Sequence, residues 1–106
     1  MITTLTGTTT SLTGWGRTDP SSALVCTPRA VDQIRATVAA ASAGSLIARG
    51  LGRAYGNPAQ CGGGTVLELT GLDSIKLDAA SGCVVASAGA SLEALLRVIV
   101  PAGFFL

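Results

Sequence analysis

Leu46-Ile47-Ala48-Arg49-Gly50-Leu51-Gly52-Arg53-Ala54-Tyr55-Gly56-Asn57-Pro58-Ala59-Gln60-Cys61-Gly62-Gly63-Gly64 decides how the rest of the chain is read. Leu46 to Ala48 is a short apolar run of the kind that forms a buried strand, and the segment after it is dense in glycine. Glycine takes positive φ and lets the backbone approach a ligand, so consecutive amide N–H groups of such a loop can converge on an anion such as a pyrophosphate. A long flexible connector with two arginines has the same spacing, and spacing alone leaves both readings standing.

Two familiar phosphate loops are excluded. A Walker loop ends in Gly-Lys-Ser or Gly-Lys-Thr, and this stretch contains no lysine. A dinucleotide fingerprint opens a helix, whereas Asn57-Pro58 and Gly62-Gly63-Gly64 would break any helix begun at Gly52. The side chains keep two roles each. Arg49 and Arg53 can pair with phosphate or stay solvated, Tyr55 can stack on a planar ring or anchor the loop, and Trp15 can line a site or fill the core.

Working outward, Thr27-Pro28 reads as an N-cap and first helical position, and Val31, Ile34 and Val38 recur at helical spacing, which predicts a helix over 28–43 closed by Gly44. Thr65 to Thr70 predicts a second strand. Ile75 to Asp78 and Cys83 to Ala88 predict a hairpin turning at Ala79-Ala80-Ser81-Gly82. Ser91 caps a last helix with Leu92, Leu95, Leu96 and Ile99 on one face, stopped by Pro101 and Gly103. The N-terminal stretch is expected to be a strand-poor, Thr-rich arm without a secretory signal. The sum is an α/β (α+β) unit, a small sheet covered by two helices.

Composition narrows the function. The chain has 106 residues, 48% of them hydrophobic and 12% charged, enough for one modest core and no second domain. Its net charge of +1 comes from scattered residues, which disfavours nucleic acid. It contains no histidine, which removes Ser-His-Asp and Cys-His nucleophile pairs and the usual neutral-pH general base. Cys26, Cys61 and Cys83 form no CxxC and read as small buried hydrophobes, and no metal site is suggested. Leu92 to Leu106 is too short and too interrupted to span a bilayer, so no transmembrane segment is expected. A cytoplasmic protein follows, with peripheral membrane association left open. The apolar ending Phe104-Phe105-Leu106 suggests a chain cut inside a larger fold, and the exposed surface of Val98, Ile99 and these residues is expected to promote association.

Leu12-Thr13-Gly14-Trp15-Gly16-Arg17-Thr18, Ile47 to Gly56, Ala59-Gln60 with Gly62-Gly63-Gly64, and the final Leu-rich helix with Pro101-Ala102-Gly103 together resemble the N-terminal part of the vanillyl-alcohol-oxidase (PCMH) type of FAD-linked oxidoreductases. The resemblance implies a truncated first α/β subdomain of an FAD-binding domain over 27–106, preceded by an arm over 1–26 that carries the Gly-Trp-Gly-Arg segment. It implies FAD as cofactor and partner, held by Ala48, Arg49, Gly50, Leu51, Gly52, Arg53, Ala54, Tyr55, Gly56 and Asn57, mainly through backbone amides. Ala54 stands where relatives usually have a hydroxyl residue, and Asn57-Pro58 also departs from their pattern.

The second FAD subdomain and the substrate domain of the relatives have no counterpart in the chain, so no catalytic residue is assigned and the chain alone is expected to be inactive. The implied activity is hydride transfer from a sugar or polyprenyl-phosphosugar alcohol to FAD, in cell-wall arabinan precursor biosynthesis. The alternative is a non-catalytic remnant or interaction module that binds no flavin.

Overall fold

A computed structural model describes residues 5–106, so the first four residues of the expected arm lie outside the described residues. Among the described residues six strands form a four-stranded sheet and a separate hairpin, accompanied by two α-helices and a 3-10 turn. The element order is β1 (Thr8–Leu12), β2 (Ser21–Cys26), α1 (Val31–Ala40), β3 (Leu46–Arg49), β4 (Thr65–Glu68), β5 (Ile75–Asp78), β6 (Cys83–Ala86) and α2 (Leu92–Ile99), with the 3-10 turn at Leu69–Gly71. The large sheet runs β1-β2-β4-β3. Here β4 pairs in parallel with both β2 and β3, and β1 pairs antiparallel with β2.

The parallel pairing of β3 with β4 explains the long loop. Parallel neighbours cannot be joined by a tight turn, because the chain must travel back along the sheet before it re-enters. Residues 50–64 make that return without a helix. The loop therefore leaves from the carboxyl end of a parallel strand, the edge at which open α/β sheets place ligands.

Two strands stand where a strand-poor arm was expected. Thr8 to Leu12 alternates too little in polarity to signal a half-buried strand, yet it pairs along its whole length with Ser21 to Ser22, Ala23, Leu24 and Val25. Ala23 and Cys26 of β2 are buried. The predicted strand at 65–70 stops at Glu68 and tightens into the 3-10 turn. The hairpin β5–β6 forms as expected.

The first helix is shorter than its spacing suggests. Thr27 is not its cap and Pro28 is not its first residue: Pro28 is fully buried in the crossover from β2, and the cap is Ala30. Gln33 explains the shift, since its Oε1 accepts from the amides of both Arg29 and Ala30 and starts the helix there. At the other end Ala41 is already extended, and Gly44, with φ +75°, belongs to a separate turn in which the Ser45 amide and hydroxyl both donate to the Ser42 carbonyl. Val31 and Val38 stay exposed, and Ala36, Thr37 and Ala40 face Leu24, Cys26 and Leu46 across an open cleft of about 450 Å³.

The second helix follows its signals closely. The Ser91 hydroxyl accepts from the Ala94 amide, and Leu95 and Ile99 are buried. Gly103, at φ +91°, closes a Schellman motif in which the Phe104 amide donates to Ile99 and the Gly103 amide to Val100. Leu92, grouped with Leu95 and Ile99 on one face, is exposed, whereas Ile99, which was also counted among the open apolar residues, is buried.

The core is aliphatic: Ala23, Cys26, Val66, Leu67, Leu95 and Ile99 with Pro28. No aromatic side chain anchors it, for Trp15, Tyr55 and Phe105 are exposed and Phe104 is only half-buried. Of the three cysteines only Cys26 is buried, while Cys61 is half-buried and Cys83 exposed. The radius of gyration is 15.8 Å, against about 13 Å for a compact chain of this size. Much apolar surface is therefore open, including Val85, Leu92, Val100, Phe105 and Leu106.

Candidate functional site

The candidate site is built on the loop that leaves β3. Among the described residues, no backbone amide from Gly50 to Asn57 donates to a protein acceptor. Nearly all of these residues are exposed, so their amides face solvent and are open to an acceptor from outside the chain. Gly52 and Gly56 both lie at positive φ, +68° and +71°, a conformation that glycine adopts without strain and from which anion-binding backbone nests are built.

Sequence reasoning placed the site on Ala48 to Asn57 alone, and the structure brings a second segment to it. Residues 12–19 run beside the loop, with the Trp15 amide donating to the Ala54 carbonyl at 2.9 Å. Gly14 lies so close to the Ala54 and Gly56 carbonyls that a Cβ there would collide with both. Thr13, Gly14, Trp15, Arg17, Arg49 and Gly52 line a hollow of about 230 Å³. Of these, Thr13, Gly14, Trp15 and Arg17 lay outside the expected set, Trp15 alone having been weighed as a residue that can line a site. The available signal was the repeated small residue around a lone tryptophan, Gly14-Trp15-Gly16, which marks close backbone approach more than it marks a turn.

Arg49 is not simply solvated, the second of the two roles weighed for it. Its guanidinium donates to the Thr13 carbonyl at 2.7 Å and the Ala59 carbonyl at 3.0 Å, passing directly under Gly52. No carboxylate pairs with it among the described residues, where the ion pairs are Asp32–Arg35 and Glu93–Arg97. Its charge is therefore held behind the free amides without a counter-ion. Arg53, by contrast, is exposed and makes no side-chain hydrogen bond among the described residues. Tyr55 is 81% exposed, so it does not anchor the loop, and Trp15, 59% exposed, is not a core residue. Leu51 and Ala54 also face solvent, Ala48 is exposed at the end of β3, and Asn57 starts a turn closed by the Gln60 amide.

Gln60 is the other residue that composition did not single out. Its amide nitrogen is shared among the carbonyls of Leu12 and Asp19 and the hydroxyl of Ser21, at 3.0, 2.9 and 3.0 Å, and its Oε1 is buried without a partner. Two residues of the segment it holds, Arg17 and Asp19, lie in the left-handed region at φ 56° and 50°. Such strain persists only where the surroundings fix it.

Among the described residues no cluster of histidine, cysteine and acidic side chains could hold a metal ion, and no helix is long and apolar enough to cross a membrane.

The chain is 42% identical over 102 residues to the protein named decaprenylphosphoryl-beta-D-ribose oxidase from Mycolicibacterium smegmatis (strain ATCC 700084 / mc(2)155). That likeness covers 92% of this chain but only 22% of the relative's length. Residues 22–106, which include β2 except Ser21, both helices and the whole glycine loop, match the family described as FAD binding domain. The chain thus belongs to the FAD-binding-domain family, whose cofactor is FAD.

Proposed function

We propose that this chain holds the pyrophosphate of FAD on the amides of Gly50 to Asn57, as one segment of a flavin-dependent oxidoreductase. The observation that carries the reading is the uninterrupted run of amides without acceptors, backed by the uncompensated charge of Arg49. A diphosphate fits such a cradle on three counts. It is anionic, it accepts many hydrogen bonds, and its oxygens need the close backbone approach that Gly52 and Gly56 permit. Arg53, exposed on the loop, would pair with the phosphates, and the exposed rings of Trp15 and Tyr55 would be available to the planar parts of the cofactor.

When bound, FAD supplies the hydride acceptor; this chain's residues bind and orient it. None of the exposed groups around the hollow is a general base at neutral pH, and the sequence has no histidine. The chain by itself therefore turns over no substrate. For the whole protein, likeness to an enzyme named for decaprenylphosphoryl-β-D-ribose favours a sugar or polyprenyl-phosphosugar alcohol as the hydride donor, and with it a place in arabinan precursor synthesis.

Titration of the purified chain with FAD, and separately with ADP, tests the reading. Quenching of flavin fluorescence and competition by ADP are the expected outcome. A folded chain that takes up neither would sink it and leave a module without flavin.

A further inference from the structure

We infer that Arg49 and Gln60 are positioning residues for the cofactor loop, tying the 12–19 segment to its two ends so that the loop's amides stay turned outward. The inference rests on the pyrophosphate reading and assigns these two side chains a role apart from phosphate contact.

Position in the chain carries the first part of the argument. Arg49 is the last residue of β3 and Gln60 follows the loop, so the pair brackets it. Arg49 crosses the neck of the loop to the Ala59 carbonyl and reaches the 12–19 segment at Thr13. Gln60 reaches the same segment at Leu12 and Asp19. The two side chains thus hold both ends of one short stretch, and between those ends lies Trp15, whose amide donates to Ala54 in the middle of the loop.

Chemistry carries the second part. Every acceptor used is a neutral carbonyl or hydroxyl, so the clamp consumes donors and leaves the Arg49 charge unspent. Gln60 accepts an orphaned, buried Oε1 in order to aim its nitrogen at two carbonyls. An unsatisfied buried acceptor is retained only where the opposite orientation is worse, and turning the amide over would set oxygen against oxygen. The loop itself contributes little to its own order, since the amides of Gly50 to Asn57 bond to no acceptor among the described residues. A loop held in its binding shape beforehand loses less freedom when the ligand arrives.

The test uses the full chain and FAD, with Gln60→Glu, Arg49→Lys and Arg49→Met compared at a temperature far below their melting transitions. Gln60→Glu keeps the size and removes the donors. Arg49→Lys keeps the charge and removes the fork that spans Thr13 and Ala59. The inference expects FAD binding at least tenfold weaker in Gln60→Glu and in Arg49→Met, partial recovery in Arg49→Lys, and faster hydrogen exchange of the Trp15 amide in all three without flavin present. Should Gln60→Glu fail to fold, the two Arg49 variants decide. Wild-type affinity in the folded variants, or unchanged Trp15 protection, overturns the clamp while leaving the pyrophosphate reading intact. Failure of the wild type to bind FAD overturns that reading and this inference together.

Discussion

Two glycine clusters lie a few residues apart in the same connection and do opposite work. In Gly50 to Gly56 the backbone amides find no acceptor among the described residues. In Gly62-Gly63-Gly64 the amide of Gly63 donates to Ser22, that of Gly64 to Cys61, and the Gly64 carbonyl accepts from Leu24. The second cluster is a seam that stitches the entry of β4 to β2, and a Cβ on Gly64 would lie 2.6 Å from both the Cys61 sulfur and the Ser45 carbonyl. Glycine in the seam answers to packing, whereas on the proposed reading glycine in the loop answers to a ligand. Composition cannot separate them; the accounting of hydrogen bonds does.

The contrast is broken most directly at Gly52. Valine there must take a left-handed φ, at a cost of about 1–2 kcal/mol for an L-residue, and its side chain must displace the Arg49 guanidinium from beneath the loop. FAD binding should fall by a factor on the order of a hundred or more, since strain and loss of the clamp add. Flavin fluorescence titration reads this, and unchanged affinity in a folded Gly52→Val chain would make the loop a connector like its neighbour.

Gly64→Ala is the complementary substitution. Overpacking against Ser45 and Cys61 should cost about 1–3 kcal/mol of stability, measured by urea denaturation. The protein that remains folded should bind FAD as the wild type does. Weakened binding by the folded fraction would show that the two clusters act as one.

Arg53 separates side chain from backbone within the loop itself. One charge-assisted hydrogen bond contributes about 1.5–3 kcal/mol, so Arg53→Ala should weaken FAD roughly tenfold or somewhat more, well short of the loss at Gly52. Equal losses at the two positions would mean that the side chain, not the amide run, carries the affinity.

What could be read in advance divides along the same line. The hairpin and α2 were legible because their signals are local: Ser91 with Ala94, Gly103 with Phe104, and alternation across Ile75 to Asp78. The glycine loop was visible as a loop for the same reason. Strand β1 was not legible, since Thr8-Thr9-Thr10-Ser11 has no apolar face and pairs only because β2 offers an edge. The role of Gln60 was invisible because its partners lie 41 and 48 positions away in sequence. Arg49 was noticed for its charge, but the structure uses its geometry, and no spacing rule announces a guanidinium that turns back onto carbonyls.

The smallest effect is expected at a third glycine turn, which is held by its own side chains and backbone. Gly82 lies at φ +72° in the β5–β6 turn, and its amide donates to the Asp78 carbonyl. The Asp78 carboxylate accepts from the Ala80 amide at 3.1 Å and the Ser81 hydroxyl at 2.9 Å, and the Cys83 amide donates to the Ser81 hydroxyl. The Ser81 hydroxyl foremost, then the turn's amides, hold the Asp78 carboxyl below its ordinary value of 3.8. A carboxyl lowered in the folded state stabilises the fold at pH values above its unfolded titration, and that contribution is lost as pH falls through the folded value. Asp78→Ala should therefore lower the melting temperature slightly at neutral pH, and the difference from wild type should vanish in acid, below the ordinary carboxylate range. FAD affinity should not change at all, because this turn lies outside the loop after β3 and outside the hollow beside it. A pH-independent loss of stability would assign the turn to Gly82 alone, and any loss of flavin would mean that the hairpin, not only the loop after β3, shapes the site.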